Sequence, residues 1–101
     1  MKKFDAKDPR ESIILSFDFT RLLAADETII TAACSTSVLA GTDPLHEDMI
    51  VGPTTFTGNV CSQRVEHGVA DVTYIVSCLI TTSAGNTIVL SGQMLMVEGG
   101  A

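Results

Sequence analysis

Five side chains carry the groups that do covalent or metal chemistry near neutral pH: Cys34, Cys61, Cys78, His46 and His67. A structural zinc site takes four such ligands held together, commonly as two closely spaced pairs. This chain has no Cys-x-x-Cys, and the nearest thiol and imidazole, Cys61 and His67, stand six residues apart. That spacing speaks against zinc. The same two residues would form a nucleophile and base only with a third group orienting the imidazole and an oxyanion donor beside the thiol. No Gly-rich turn behind Cys61 offers such a donor. His46-Glu47-Asp48 presents hard oxygen ligands of the kind calcium takes, against the blander reading of a solvated polar turn. Neither a phosphate-cradling Gly loop nor a dinucleotide fingerprint is present in the sequence. The expectation is therefore no catalytic, cofactor-binding or metal-binding residue, and no enzyme.

The three Cys read as reduced thiols, buried or half-buried, in a reducing compartment. Cys34 and Cys78 fall on strands able to face one another across a sandwich, which leaves a bridge between them open. The amino end, Met-Lys-Lys followed by Phe-Asp-Ala-Lys-Asp-Pro-Arg-Glu, lacks the apolar middle of a signal peptide. No run approaches the ~18 apolar residues of a membrane span. Folding in a cytoplasm is expected.

The elements that would position these groups are strands. Ala70, Val72, Tyr74, Val76, Cys78 and Ile80 alternate with polar residues, Ser83 to Asn86 supply a turn, and Ile88, Leu90, Met94 and Met96 share one side of the run that follows. This is the two-residue period of a half-buried β-hairpin. Upstream, Ile13, Leu15, Phe17 and Phe19 make a first strand, and Thr20 is placed to cap a short helical turn. A second strand over Thr28 to Val38 puts Ile30, Ala32, Cys34 and Val38 on one side. Gly41-Thr42-Asp43-Pro44 breaks the chain, Leu45 to Ile50 suits a charged edge strand or a loop, and Val51-Gly52-Pro53 breaks it again. Thr54 to Arg64 reads as one strand, and Val65 to Gly68 as a turn. Tyr74, early in the penultimate strand, suits the corner position at which immunoglobulin-like domains bond a Tyr back to the backbone.

These features predict an all-β chain: an immunoglobulin-like antiparallel β-sandwich of about seven strands, with turns roughly ten residues apart. Residues 1–10 form an extended arm, 11–97 one sandwich domain, and 98–101 a flexible tail. The chain has 101 residues, which suits one core. Its net charge is −6, with 12 acids against 6 bases, and the one basic cluster, Lys2, Lys3, Lys7 and Arg10, reads as a solvated tail. An acidic surface repels phosphate backbones, so nucleic acid is not an expected partner, and neither is a membrane.

Lys7-Asp8-Pro9, Phe17-Asp18-Phe19, Thr20-Arg21-Leu22-Leu23 and Asp26-Glu27-Thr28-Ile29 come in that order, followed by Gly68, Tyr74, Thr81-Thr82-Ser83-Ala84-Gly85, Ser91 and Leu95-Met96-Val97. This succession resembles the small immunoglobulin-like fibre-tail adaptor proteins of tailed bacteriophages and prophages. The chain departs from them in lacking a Trp near the first strand and in its longer Ser37 to Arg64 stretch. The resemblance implies a non-enzymatic virion component acting in several copies at a tail or head-tail junction. Its partners would be other tail, fibre or connector proteins, with homo-oligomer formation in the particle left open. The alternative is a soluble ligand- or carbohydrate-binding sandwich, which the absence of Trp and the single Tyr disfavour.

Overall fold

Alternation of apolar and polar side chains makes strands of most of this chain, and the computed structural model, which describes residues 2–98, sets them in two sheets. The strands are β1 (Lys2–Lys3), β2 (Ile13–Asp18), β3 (Ile29–Ala40), β4 (Ile50–Thr57), β5 (Val60–Val65), β6 (Thr73–Thr82) and β7 (Thr87–Leu95). One sheet runs β1-β7-β6-β3 and the other β2-β5-β4. Every pairing is antiparallel except that of β1 with β7. The all-β, seven-strand expectation is met. Of the tail expected over 98–101, only Glu98 lies within the described residues.

The core draws on both sheets: Leu15 and Phe17 from β2, Cys61 and Val65 from β5, Tyr74, Val76, Cys78 and Ile80 from β6, and Met94 from β7. In β6 every second side chain is buried, as its alternation requires. The expected hairpin forms, with Thr81 opposite Thr87 at its closed end.

Several local readings change. In β3 the ladder slips between Ile29 and Thr31, so Ile29 is the buried residue and Ile30 is exposed. One extra residue in a strand reverses the parity of what precedes it. The stretch 54–64 is two strands, not one, because the chain turns at Gly58, which holds a φ of +59°. The break expected at Gly52-Pro53 falls inside β4, as an irregularity between Val51 and Thr55. Pro53 has no N–H for the ladder. The buried Gln63 amide fills in there, donating to the carbonyls of Val51 and Gly52. Residues 46–49 form a single 3-10 turn rather than an edge strand. Thr20 does not cap the turn Thr20–Leu22; its hydroxyl and N–H both donate to Asp18 Oδ1.

The basic cluster is not wholly solvated. Lys2 and Lys3 are exposed, but Lys3 pairs with Gln93 on β7, and Lys7 is buried. Lys7 Nζ donates to the backbone oxygens of Asp8 at 3.0 Å and His67 at 2.8 Å. Those two carbonyls give the ammonium the partners that burial demands. Phe4 lies over Gly92, where an added Cβ would meet its ring at 2.4 Å, and packs edge-on against Phe17 with centroids 5.6 Å apart.

Candidate interaction surfaces

Strand register brings together the thiols that sequence spacing kept apart. Cys34 on β3 is directly opposite Cys78 on β6. They are neighbours within one sheet, not partners across the sandwich, because β3 pairs along the whole of β6. The Cys34 N–H points away from β6, to Thr54 Oγ1 at 3.0 Å, so the two form a non-hydrogen-bonded pair, the register at which opposed side chains come closest. Cys61 of the facing sheet adds its thiol to Cys78. All three are free. The hydrogen bond from Cys78 holds the Cys34 thiol below its ordinary value, while Cys78 is pushed up by that bond and by burial. Burial also raises Cys61. Cys61 and Cys78, held protonated this way, are packing groups.

The imidazoles go elsewhere. His46 Nδ1 lies 2.9 Å from Thr36 Oγ1, whose hydroxyl donates to the His46 carbonyl at 2.7 Å, fastening the 3-10 turn to β3. His67 sits past the end of β5 at a φ of +65°, its carbonyl held by Lys7. Neither joins Cys61. Among the described residues no three His, Cys, Asp or Glu side chains converge as metal ligands. His46-Glu47-Asp48 instead forms a turn on one wall of an open groove.

That groove holds about 700 Å³ between the Asp43–Gly52 segment and His67–Val69. Leu45, Ile50, Val51 and Val69 give it apolar walls, and Asp43, Glu47 and Asp48 make it acidic. The buried Tyr74 ties together two of the residues that line it. Its hydroxyl donates to Asp43 Oδ2 at 2.7 Å and accepts from the Val69 N–H at 2.8 Å, while Asp43 Oδ1 takes the Leu45 N–H. Burial, with the bond to Asp43, pushes the phenol up to about 12. Lys7 is engaged as above, Arg10 bonds both carboxylate oxygens of Asp8, and His67 is the basic side chain among the residues that line the groove.

A second surface is the outer face of the larger sheet. β3, β6 and β7 contain no Asp, Glu, Lys, Arg or His at all. Their outward side chains line up across the strands as Thr31–Thr81–Thr87, Ala33–Leu79–Val89, Ser35–Ser77–Ser91 and Ser37–Ile75–Gln93. Ser77 and Ser91 hydroxyls meet at 2.7 Å, and Thr31 with Thr81 at 2.5 Å. Leu79 and Val89 remain 42% and 50% exposed. The smaller sheet, by contrast, turns Asp18 and Arg64 outward. Composition flagged the acidic balance but not its distribution, since which strands adjoin depends on pairing.

At the opposite end of the sandwich Glu27 is nearly enclosed. It accepts from Ala24 N–H at 3.1 Å, from Asn86 Nδ2 at 2.9 Å and from the Thr82 hydroxyl. These bonds, that from Thr82 foremost, hold its carboxyl below the ordinary value. The arrangement pins the β6–β7 turn to the start of β3.

No helix among the described residues is long and apolar enough to cross a membrane. Neither curated proteins nor solved structures give a match. Comparison with protein families does, over residues 7–94, from the buried Lys7 to Met94 near the end of β7. An all-β body matched along nearly its whole length, this chain thus belongs to the podophage GP4 fiber-tail adaptor protein gp77 family of phage structural proteins.

Proposed function

We propose that this protein works without catalysis, as a virion component that joins parts of a podophage tail through protein–protein contacts. The observation that carries this reading is the division of its side chains. The three thiols and the His46 imidazole are engaged in internal contacts, whereas the outside offers an uncharged sheet face and an acidic, apolar-walled groove. Surfaces of that kind recognise other proteins. The partners are other tail, fibre or connector subunits, met after the chain has folded in the host cytoplasm. Residues 1–10 are an arm docked on a single domain over 11–97, supported by the β1–β7 pairing and the buried Lys7. The strand orders β3-β6-β7 and β2-β5-β4 support an immunoglobulin-like reading of the two sheets.

Purified particles test the proposal. Mass spectrometry should find the polypeptide in tailed virions at a fixed ratio to other tail proteins, and a nonsense mutation should yield particles lacking fibres or tails. Its absence from intact virions would overturn the reading. The groove keeps ligand binding as a second reading, but its walls hold no Phe, Tyr or Trp on which a sugar ring would stack.

A further inference from the structure

We propose that Cys34 and Cys78 are a site of reversible oxidation, closing a disulfide bond that staples β3 to β6 within the larger sheet. Strand register carries the inference. The two residues are directly opposite one another, and the Cys34 N–H turns away from β6 to Thr54 Oγ1, so theirs is a non-hydrogen-bonded pair. At such a pair the Cα atoms approach to about 4.5 Å and the Cβ atoms to about the same distance, within the spans a disulfide bridges. Both side chains lie on the inward face of the sheet, Cys78 in the core and Cys34 packed against it. Cys61 does not compete for the bond. It belongs to the facing sheet, and stacked sheets lie about 10 Å apart, whereas a disulfide needs Cα atoms within about 7 Å.

Exposure sets the order of events. Cys34 is half-buried while Cys61 and Cys78 are enclosed, so an oxidant meets Cys34 first. That oxidant is a low-molecular-weight disulfide such as oxidised glutathione. The bond from Cys78 holds the Cys34 thiol below its ordinary value, which favours the thiolate that attacks one sulfur of the oxidant. A mixed disulfide forms on Cys34, and one glutathione leaves as a thiolate and takes up a proton. This step removes the charge to which Cys78 donates, and with it the first cause of that thiol's raised value. Cys78 then gives up its proton, attacks Cys34 Sγ and expels the second glutathione as a thiol. Two hydrogens with their electrons pass from protein to oxidant, which ends as two thiols. The loop so closed, 35–77, contains β4, β5 and every residue lining the groove, so the staple would fix the groove's walls. Thiols stay reduced in a cytoplasm and oxidise outside it. The inference rests on the adaptor reading only for where the bond closes, in a particle that has left the cell, since the reactivity is a property of the free chain.

The purified full chain tests this, incubated under native conditions at about pH 8 with oxidised glutathione and then quenched with N-ethylmaleimide in denaturant. The expected product is a single chain lighter by two hydrogens, with one of its three thiols left to alkylate. Cleavage after Glu27, Glu47, Glu66 and Glu98 places each Cys in its own peptide, and 28–47 should be found joined to 67–98. Cys61→Ala should still bridge and Cys34→Ser should not, with far-UV circular dichroism confirming that both fold. The bridged chain should melt at least about 5 °C above the reduced one, and dithiothreitol should reverse the gain. Oxidised glutathione should leave the melting of Cys34→Ser unchanged. Three free thiols, a glutathione adduct that stays on Cys34, a bridge joining 48–66 to 67–98, or a link between two chains would each overturn the staple. A bridged chain that melts no higher than the reduced one would overturn it as well. A polypeptide absent from virions sinks the adaptor reading and leaves the staple standing, whereas three free thiols do the reverse.

Discussion

Tyr74 holds two separate stretches of chain with one oxygen: the loop after β3 through Asp43, and the 68–72 approach to β6 through the Val69 N–H. Removing the hydroxyl leaves a carboxylate oxygen and a backbone donor without their partner in a desolvated corner, and such orphaned groups are costlier than the bond itself. Tyr74→Phe should therefore lower stability by about 1–3 kcal/mol in urea titration, with faster amide exchange at Val69. A change under about 0.5 kcal/mol would mean that the corner is held by packing alone. The cysteines teach the same lesson at this scale. Three thiols far apart in sequence share one patch of core because β3 lies along β6 and β5 faces it. Neither fact is contained in their spacing.

Among the elements, the arm is the one whose role changed most between expectation and structure. Its lysines suggested solvent, but Phe4 sits on the surface that Gly92 leaves bare, and Lys7 reaches the His67 carbonyl. Gly92→Ala would put a methyl group 2.4 Å from the Phe4 ring. The rest of β7 is fixed by its ladder with β6, so the arm is the part that gives way. Trypsin cleavage after Lys2 and Lys3 should accelerate at least about tenfold, with a stability loss of about 1–2 kcal/mol for the ring's lost contacts. Phe4→Ala should match it. If Gly92→Ala leaves cleavage unchanged, the docking of the arm is not what Gly92 serves. The slip in β3 belongs to the same scale: alternation identified the strand, but only the ladder with β6 reveals that Ile29 rather than Ile30 turns inward.

For the molecule as a whole, the buried or bonded ionisable groups set the pH range of stability. Glu27 is held below its ordinary 4.5 by Thr82, Ala24 and Asn86, and Asp18 below its ordinary 3.8 by the hydroxyl and N–H of Thr20. A carboxyl lowered in the folded state contributes fully above its unfolded value and loses that contribution as pH falls through the folded one. Lys7 has the opposite effect: burial lowers it from 10.5, so its penalty is full below the folded value and is relieved as pH rises toward 10.5. Thermal melts should show stability falling below about pH 4.5. Glu27→Gln should be less stable than the parent at pH 7 and should flatten that acid limb. An unaltered limb would show that Glu27 does not set it.

The sequence by itself determined the all-β character, the long hairpin, the inward residues of β2, β6 and β7, and the kinship with fibre-tail adaptors. Each rests on local periodicity or on the order of short motifs, and the side chain's direction in a strand follows from its neighbours alone. What the tertiary structure decided was everything that depends on which strands adjoin: the meeting of Cys34, Cys61 and Cys78, the burial of Lys7, the Glu27 clasp, and the joining of three uncharged strands into one continuous face. Pairing between distant segments is set by the competition of whole sheets for the same apolar surface. No window of sequence contains both partners.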